Sequence, residues 1–354
     1  MTTLDYSALS SPVTRQDIIE YRRSGRPGLS SAIPTVTAMV IVIVVGALMF
    51  SFTMSAFSGS ASESTNLPIV LVVLALVIAA VSSLYVFSQR ASWIRLLRVT
   101  RFADANGLEY SVAGEVPSYP GSLFGIGSAR SVPERISRAT APSIDLGDLR
   151  YTTGSGKNRK VHNWGYLAIK LDRMLPQMVL DAKANNFFGT NLPVSFSRSQ
   201  VLPLEGDFDR FFTLYCPKEY ESDALYVFTP DLMARLIDEA ANYDVEIVDD
   251  WMFLYSASPF DLADAATLAR VFRIIDTVGT KTLDRTERYA DSRVAVTASA
   301  SDTVPPLTAR MSSNTVAQPG RRLQRGVPLV GILVFVAVVA VIWILNFAPM
   351  FSGF

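Results

Sequence analysis

Few residues in this 354-residue chain could do chemistry. Glu205, Asp207 and Asp209 alternate, so an extended backbone would project the three carboxylates from one face, where they could hold a divalent cation through oxygen or act as an acid and base. They are the only metal candidates, and D-x-D is a short pattern. Asp249-Asp250 lies between two strand-like runs and reads as a turn. His162 is the single histidine, so any Ser-His-Asp or Cys-His relay must use it; its place inside a strand-like run points to a structural role. Cys216, the single cysteine, has only Lys218 nearby to acidify it and reads as an inert thiol. One residue of each kind excludes zinc sites built from His and Cys, disulfide frameworks and iron–sulfur clusters supplied by this chain alone. No cofactor is expected. Thr153-Gly154-Ser155-Gly156-Lys157 lacks the spacing and the following helix of a phosphate-binding loop and reads as a hairpin turn; Gly121 to Gly127 reads as a flexible loop.

The elements that must position these residues read as α+β. Strands are expected at Leu149–Thr153, Lys160–Leu171, Met178–Ala182, Phe211–Cys216, Ala224–Phe228, Val245–Val248 and Trp251–Tyr255. One helix is signed by Thr229, Pro230 and Asp231, with Leu232, Leu236 and Ala240 as its stripe. A second runs from Asp261 into the 280s, with Gly279 as an interruption, and a short one follows the capping-box spacing of Thr14 and Asp17. Strands in a run with few helices between them favour an antiparallel sheet.

Three charge-free runs, Val36–Ala56, Ile69–Phe87 and Leu329–Phe347, are each long enough as helices, at about 1.5 Å per residue, to cross a hydrocarbon core of about 30 Å. The chain is 49% hydrophobic and 18% charged, with a mean hydropathy of +0.28. The expected fold class is therefore a membrane protein with three transmembrane α-helices plus a cytoplasmic α+β domain with a mainly antiparallel sheet. Its parts are a cytoplasmic tail (1–32), transmembrane helix 1 (33–57), an extracytoplasmic loop (58–67), transmembrane helix 2 (68–88), a juxtamembrane amphipathic helix (89–106), the α+β domain (107–293), a flexible linker (294–326), transmembrane helix 3 (327–348) and an extracytoplasmic C-terminus (349–354). Arginines flank the runs on one side, which places the N-terminus and main domain in the cytoplasm and the C-terminus outside, at a plasma membrane. Arg22, Arg23, Arg26, Arg90, Trp93, Arg95, Arg98, Arg101, Arg321, Arg322, Arg325 and Trp343 are the expected membrane-interface residues, with an anionic inner leaflet as their partner. The helix 89–106 could instead be a stem packing on the domain.

Lys plus Arg and Asp plus Glu are 32 each, which excludes a basic nucleic-acid binder. The zero sum conceals a separation: residues 205–264 hold 15 acidic and 3 basic groups, while the flanking regions are net basic. That acidic stretch, with Asp207, Asp209, Asp249 and Asp250, is where a basic protein partner or a cation would bind.

The blocks RYTTGSGKNRKVHNWGYLAIKLDR (150–173), NNFFGTNLPVSF (185–196) and the run 204–256 resemble a group of actinobacterial multi-pass membrane proteins with a cytoplasmic domain of unknown function. The resemblance implies a bacterial plasma-membrane location and carries no catalytic residues across. The leading functional expectation is an integral membrane protein presenting a binding or scaffold domain, more a non-enzyme than an enzyme. The alternative is a membrane-tethered carboxylate- or metal-dependent hydrolase or transferase centred on Glu205, Asp207 and Asp209. A transporter subunit is disfavoured, because the apolar runs hold no ionisable residue.

Overall fold

The computed structural model describes residues 4–26, 46, 66–186, 192, 194–204, 206–294 and 314–326, with the backbone alone for 66–79. The chain divides into two compact units, Thr3–Val112 and Ala113–Phe354, the second taking in the first two residues.

The Thr3–Val112 unit holds α1 (Ser7–Ser10), α2 (Arg15–Arg23) and α3 (Asn66–Ala105); strand β1 (Glu109–Gly114) crosses the boundary between units. The capping box forms as the spacing predicts: Asp17 N donates to Thr14 Oγ1 at 3.2 Å, and Thr14 N donates to the Asp17 carboxylate at 2.7 Å. The apolar face of α3 (Trp93, Leu96, Leu97) packs against Val13, Ile18 and Tyr21. Basic residues reinforce that contact. Arg22 lies over the Trp93 ring at 4.5 Å, Arg101 pairs with Asp17 at 3.0 Å, Arg26 pairs with Asp104 at 2.8 Å, and Arg98 Nε donates to the Ser11 carbonyl at 3.1 Å. Residues 89–106 are thus a stem that packs on the N-terminal tail. Gly107, at φ +64, ends the helix, and Leu108 N closes the last turn on the Ala103 carbonyl at 2.9 Å.

Among the described residues no helix is long and apolar enough to cross a membrane. That finding overturns the three-span membrane fold, and with it the multi-pass plasma-membrane placement. Segment 68–88 is not a helix of its own. It is the first part of α3, which continues unbroken through Arg90, Arg95, Arg98 and Arg101. The expected spans 33–57 and 327–348, Trp343 and the C-terminus 349–354 lie outside the described residues.

The Ala113–Phe354 unit is α+β. Its strands are β2 (Ser128–Arg138), β3 (Ile144–Thr153), β4 (Lys160–Ala182), β5 (Val201–Leu202), β6 (Phe212–Tyr215) and β7 (Asp244–Ser256). They run in the order β2-β3-β4-β6-β5, with β7 along the other flank of β4, and every one of these pairings is antiparallel. The helices are α4 (Phe208–Phe211), α5 (Glu221–Val227), α6 (Pro230–Ala240), α7 (Ala265–Ile274), α8 (Thr280–Thr286) and α9 (Gln318–Arg321).

Strand β4 merges two expected strands, and so does β7. The residues that suggested breaks, Asp172 to Pro176 in one and Asp249-Asp250 in the other, face each other at an irregular stretch of the β4–β7 ladder. Asp249, at φ +54, marks that bulge, which also accommodates a proline inside a central strand. The expected strand Ala224–Phe228 is instead part of α5: Ala224 and Val227 are buried at helical spacing while Leu225 is 54% exposed. Gly279 falls in a π-type turn, Ile275–Gly279, that joins α7 to α8. A Cβ there would sit 2.9 Å from Ile169 of β4, so this helix approaches the sheet closely only because the residue is glycine.

Residues 314–326, the described part of the expected linker, form a docked strap. Met174 N donates to Asn314 Oδ1, Ala317 N to Asp291 Oδ2, Leu323 N to Gln177 Oε1 and Gln324 N to Gln200 Oε1, all at 2.7–2.9 Å. Gly320 of the strap lies against the Tyr220 ring, where an added Cβ would come within 2.7 Å of a ring carbon. Gly320→Ala should therefore lower stability by about 1–3 kcal/mol through overpacking and increase protease cleavage near residue 320, read by limited digestion and thermal unfolding.

Asp244 opens β7 fully buried, accepting the Ala182 amide at 2.8 Å. Burial, with the Asp181 charge adding to it, pushes its pKa up to about 7, against the lowering effect of the Ala182 amide and Asn185. A carboxyl raised on folding contributes full stability below about pH 4 and loses it as pH rises through about 7. Asp244→Asn keeps the acceptor, so the variant should show a flatter stability profile between these values and a higher urea midpoint than the parent at about pH 8.

Candidate functional site

Residues 115–127 lead into β2, and their glycines suggest freedom. Their conformation is instead fixed by a buried carboxylate. Glu246 of β7, 1% exposed, accepts four hydrogen bonds: Ser122 N at 2.7 Å and Tyr255 OH at 2.8 Å on one oxygen, Ser122 Oγ at 2.7 Å and Gln177 Nε2 at 2.5 Å on the other. Burial pushes its pKa up, against the lowering effect of these donors. With both oxygens doubly occupied, the group works as an anchor and offers no free lone pair for proton transfer. Gly121 lets the loop lie on β7, because any Cβ would meet the Phe253 ring at 3.0 Å and run into the Tyr255 hydroxyl. The result is a 3-10 turn, Ser122–Gly125, with Leu123 and Phe124 buried.

A second carboxylate fixes the loop three residues earlier, at Tyr119. Asp145 of β3 accepts from Tyr119 OH at 2.8 Å, Tyr166 OH at 3.2 Å and Arg135 at 3.3 Å. Burial raises its pKa, and the tyrosine hydroxyls and Arg135 pull the other way. Tyr119 packs tilted on Trp251 at 4.6 Å and edge-on to Phe124 at 5.1 Å; Phe124 in turn meets Tyr166 at 5.1 Å. Between these walls opens a cleft of about 590 Å³, lined by Val116, Pro117, Tyr119, Pro120, Phe124 and Arg130. Arg130, exposed at the rim, spends one donor on the Phe124 carbonyl at 2.6 Å.

The residues singled out from sequence lie elsewhere. Glu205 is outside the described residues. Asp207 pairs with Arg210 at 3.2 Å, and the Asp209 carboxylate accepts the Leu204 amide at 3.2 Å. Among the described residues no group of three or more His, Cys, Asp or Glu is placed to hold a metal. Asp249 is gripped by both guanidinium nitrogens of Arg322 at 2.9 Å, and Asp250 by Lys170 at 2.5 Å. Arg321 Nε donates to the Val316 carbonyl at 2.9 Å, and Arg325 makes a backbone bridge with Phe196. Arg23, Arg90 and Arg95 are in the Thr3–Val112 unit. His162 stacks on Tyr151 at 4.9 Å and bonds Thr153 Oγ1 at 2.8 Å; Cys216 is buried, its pKa pushed up to about 12 by desolvation. The sequence signal for the cleft was present in Val-Pro-Ser-Tyr-Pro-Gly, two prolines and an aromatic beside a glycine, but its partners Asp145 and Glu246 are far away in the chain.

No protein-family model matches the chain, and no curated protein matches it. Among solved structures, the mycobacterial trehalose monomycolate transport factor A shows a distant likeness, covering 53% of this chain and 92% of its own at 10% identity and a TM-score of 0.35.

Gln177 cannot turn to suit a changed neighbour, because its oxygen holds the strap at Leu323 N. Glu246→Gln would therefore set an amide NH2 against either Gln177 Nε2 or the Ser122 amide. The expected cost is about 2–4 kcal/mol in chemical unfolding, with faster hydrogen exchange at Ser122 and Leu323 together.

Proposed function

We propose that the Ala113–Phe354 unit is a binding domain that receives a partner polypeptide in the cleft of the Ser122 loop. The observation that carries this reading is the fixing of the loop at two points three residues apart by buried carboxylates, Asp145 on Tyr119 and Glu246 on Ser122. A site whose walls are ordered during folding loses little further entropy when it is filled. Proline and aromatic walls favour an apolar or aromatic side chain, and Arg130 at the mouth favours an acidic neighbour to it. The occupant is thus a protein segment with an apolar anchor beside a carboxylate. This moves the partner surface away from Asp249 and Asp250, whose charges are already met within the chain.

A photo-crosslinking residue in place of Ser118, in the full chain expressed in its native cell, tests this directly. The expected result is one discrete crosslinked polypeptide, absent when the same residue replaces Ser155 in the β3–β4 turn and lost when Ser128→Trp obstructs the cleft. Equal labelling at the two positions, or labelling that survives Ser128→Trp, would overturn the proposal.

A further inference from the structure

A second cavity, of about 280 Å³, lies elsewhere in the same unit. It is lined by Ser222, Asp223, Tyr226, Arg288, Tyr289 and Ser292, with Arg293 at its base. Its floor is a hydrogen-bonded network of one guanidinium and two carboxylates. Arg293 pairs with Asp223 at 3.0 Å and with Asp291 at 3.3 Å; Tyr289 OH donates to Asp223 at 2.8 Å, and Tyr220 OH to Asp291 at 2.8 Å. Although burial works against it, the amides of Ala317 and Arg293, with Tyr220 and the Arg293 side chain, hold Asp291 ionised with a lowered pKa. Arg293 also lies over the Tyr220 ring at 3.9 Å and donates to the Glu219 carbonyl, so both its terminal nitrogens are engaged within the chain. Arg285 is committed too, over the Tyr226 ring at 4.3 Å and bonded to the Tyr226 carbonyl at 2.6 Å.

Three donors around the cavity remain. Among the described residues, Arg288 and the hydroxyls of Ser222 and Ser292 have no hydrogen-bond or ion-pair partner. Of the charged residues that line the cavity, Arg288 and Arg293 are positive and Asp223 is negative, which leaves one net positive charge in its wall. A guanidinium with two hydroxyls on separate segments supplies donors from different directions, which suits a tetrahedral oxyanion better than a flat carboxylate. We infer that this cavity binds a phosphate group, with Arg288 as its charged ligand and Ser222 and Ser292 completing its hydrogen bonds. The Tyr226 and Tyr289 rings give the remainder of a phosphorylated small molecule an aromatic wall.

Inorganic phosphate is the probe, titrated into the full chain at constant ionic strength and followed by calorimetry and by phosphorus NMR line broadening. Saturable binding is expected, weakened at least tenfold by Arg288→Gln and by the Ser222→Ala, Ser292→Ala pair, and unchanged by Arg270→Gln at an exposed arginine outside the cavity. Arg288 makes no hydrogen bond or ion pair among the described residues and is exposed, so its replacement should leave thermal unfolding unchanged in phosphate-free buffer. Non-saturable binding, or equal weakening by Arg288→Gln and Arg270→Gln, would overturn the assignment.

Discussion

The burial of one carboxylate, Glu246, organises the larger unit. An ion taken out of water is tolerated only where its lone pairs are met, and here they are met from three directions: the Ser122 turn, the middle of β4 through Gln177, and β7 itself through Tyr255. Gln177 passes the constraint on to Leu323 in the strap. The loop that forms the cleft and the segment that closes the sheet are therefore held by the same group. Losing either side would leave a buried polar atom without its partner, so the two are energetically coupled.

The β4–β7 ladder shows what local sequence conveys and what it does not. Apolar alternation on both sides of Asp249-Asp250 and of Asp172–Pro176 predicts strands correctly. The polar interruptions predict turns, and they are a bulge, because each lies opposite the other across the ladder and they are absorbed together. A turn and a bulge draw on the same residues, so only the pairing partner separates them. The capping box at Thr14 and the helix at Pro230 were legible because their determinants lie within four residues. The cleft was not, since Ser122 and Glu246 are 124 positions apart. The apolar run at 69–87 misled for a related reason: composition gives length and hydropathy but does not show that the helix continues through Arg90 into a packed stem.

Charge tells a similar story. The excess of acid between residues 205 and 264 looked like a surface awaiting a basic partner. Part of it is met from within: Lys170 reaches Asp250, Arg273 reaches Glu239, Lys281 reaches Asp231, Arg293 reaches Asp223 and Arg322 reaches Asp249. For those five carboxylates the asymmetry along the chain is complemented from its basic flanks. Exposed pairs such as Lys281–Asp231 contribute little stability each.

The strap carries a consequence for how the protein is made. Leu323 meets Gln177 across 146 residues, and Asn314 meets Met174 across 140. A ribosome releases the sheet long before it releases these segments, so the nascent domain must wait with Gln177, Gln200 and Asp291 lacking their backbone partners. During that interval Glu246 retains its β7 and loop donors while Gln177 is free to turn. The emergence of residues 314–326 from the exit tunnel is thus the event that commits the domain to its final form.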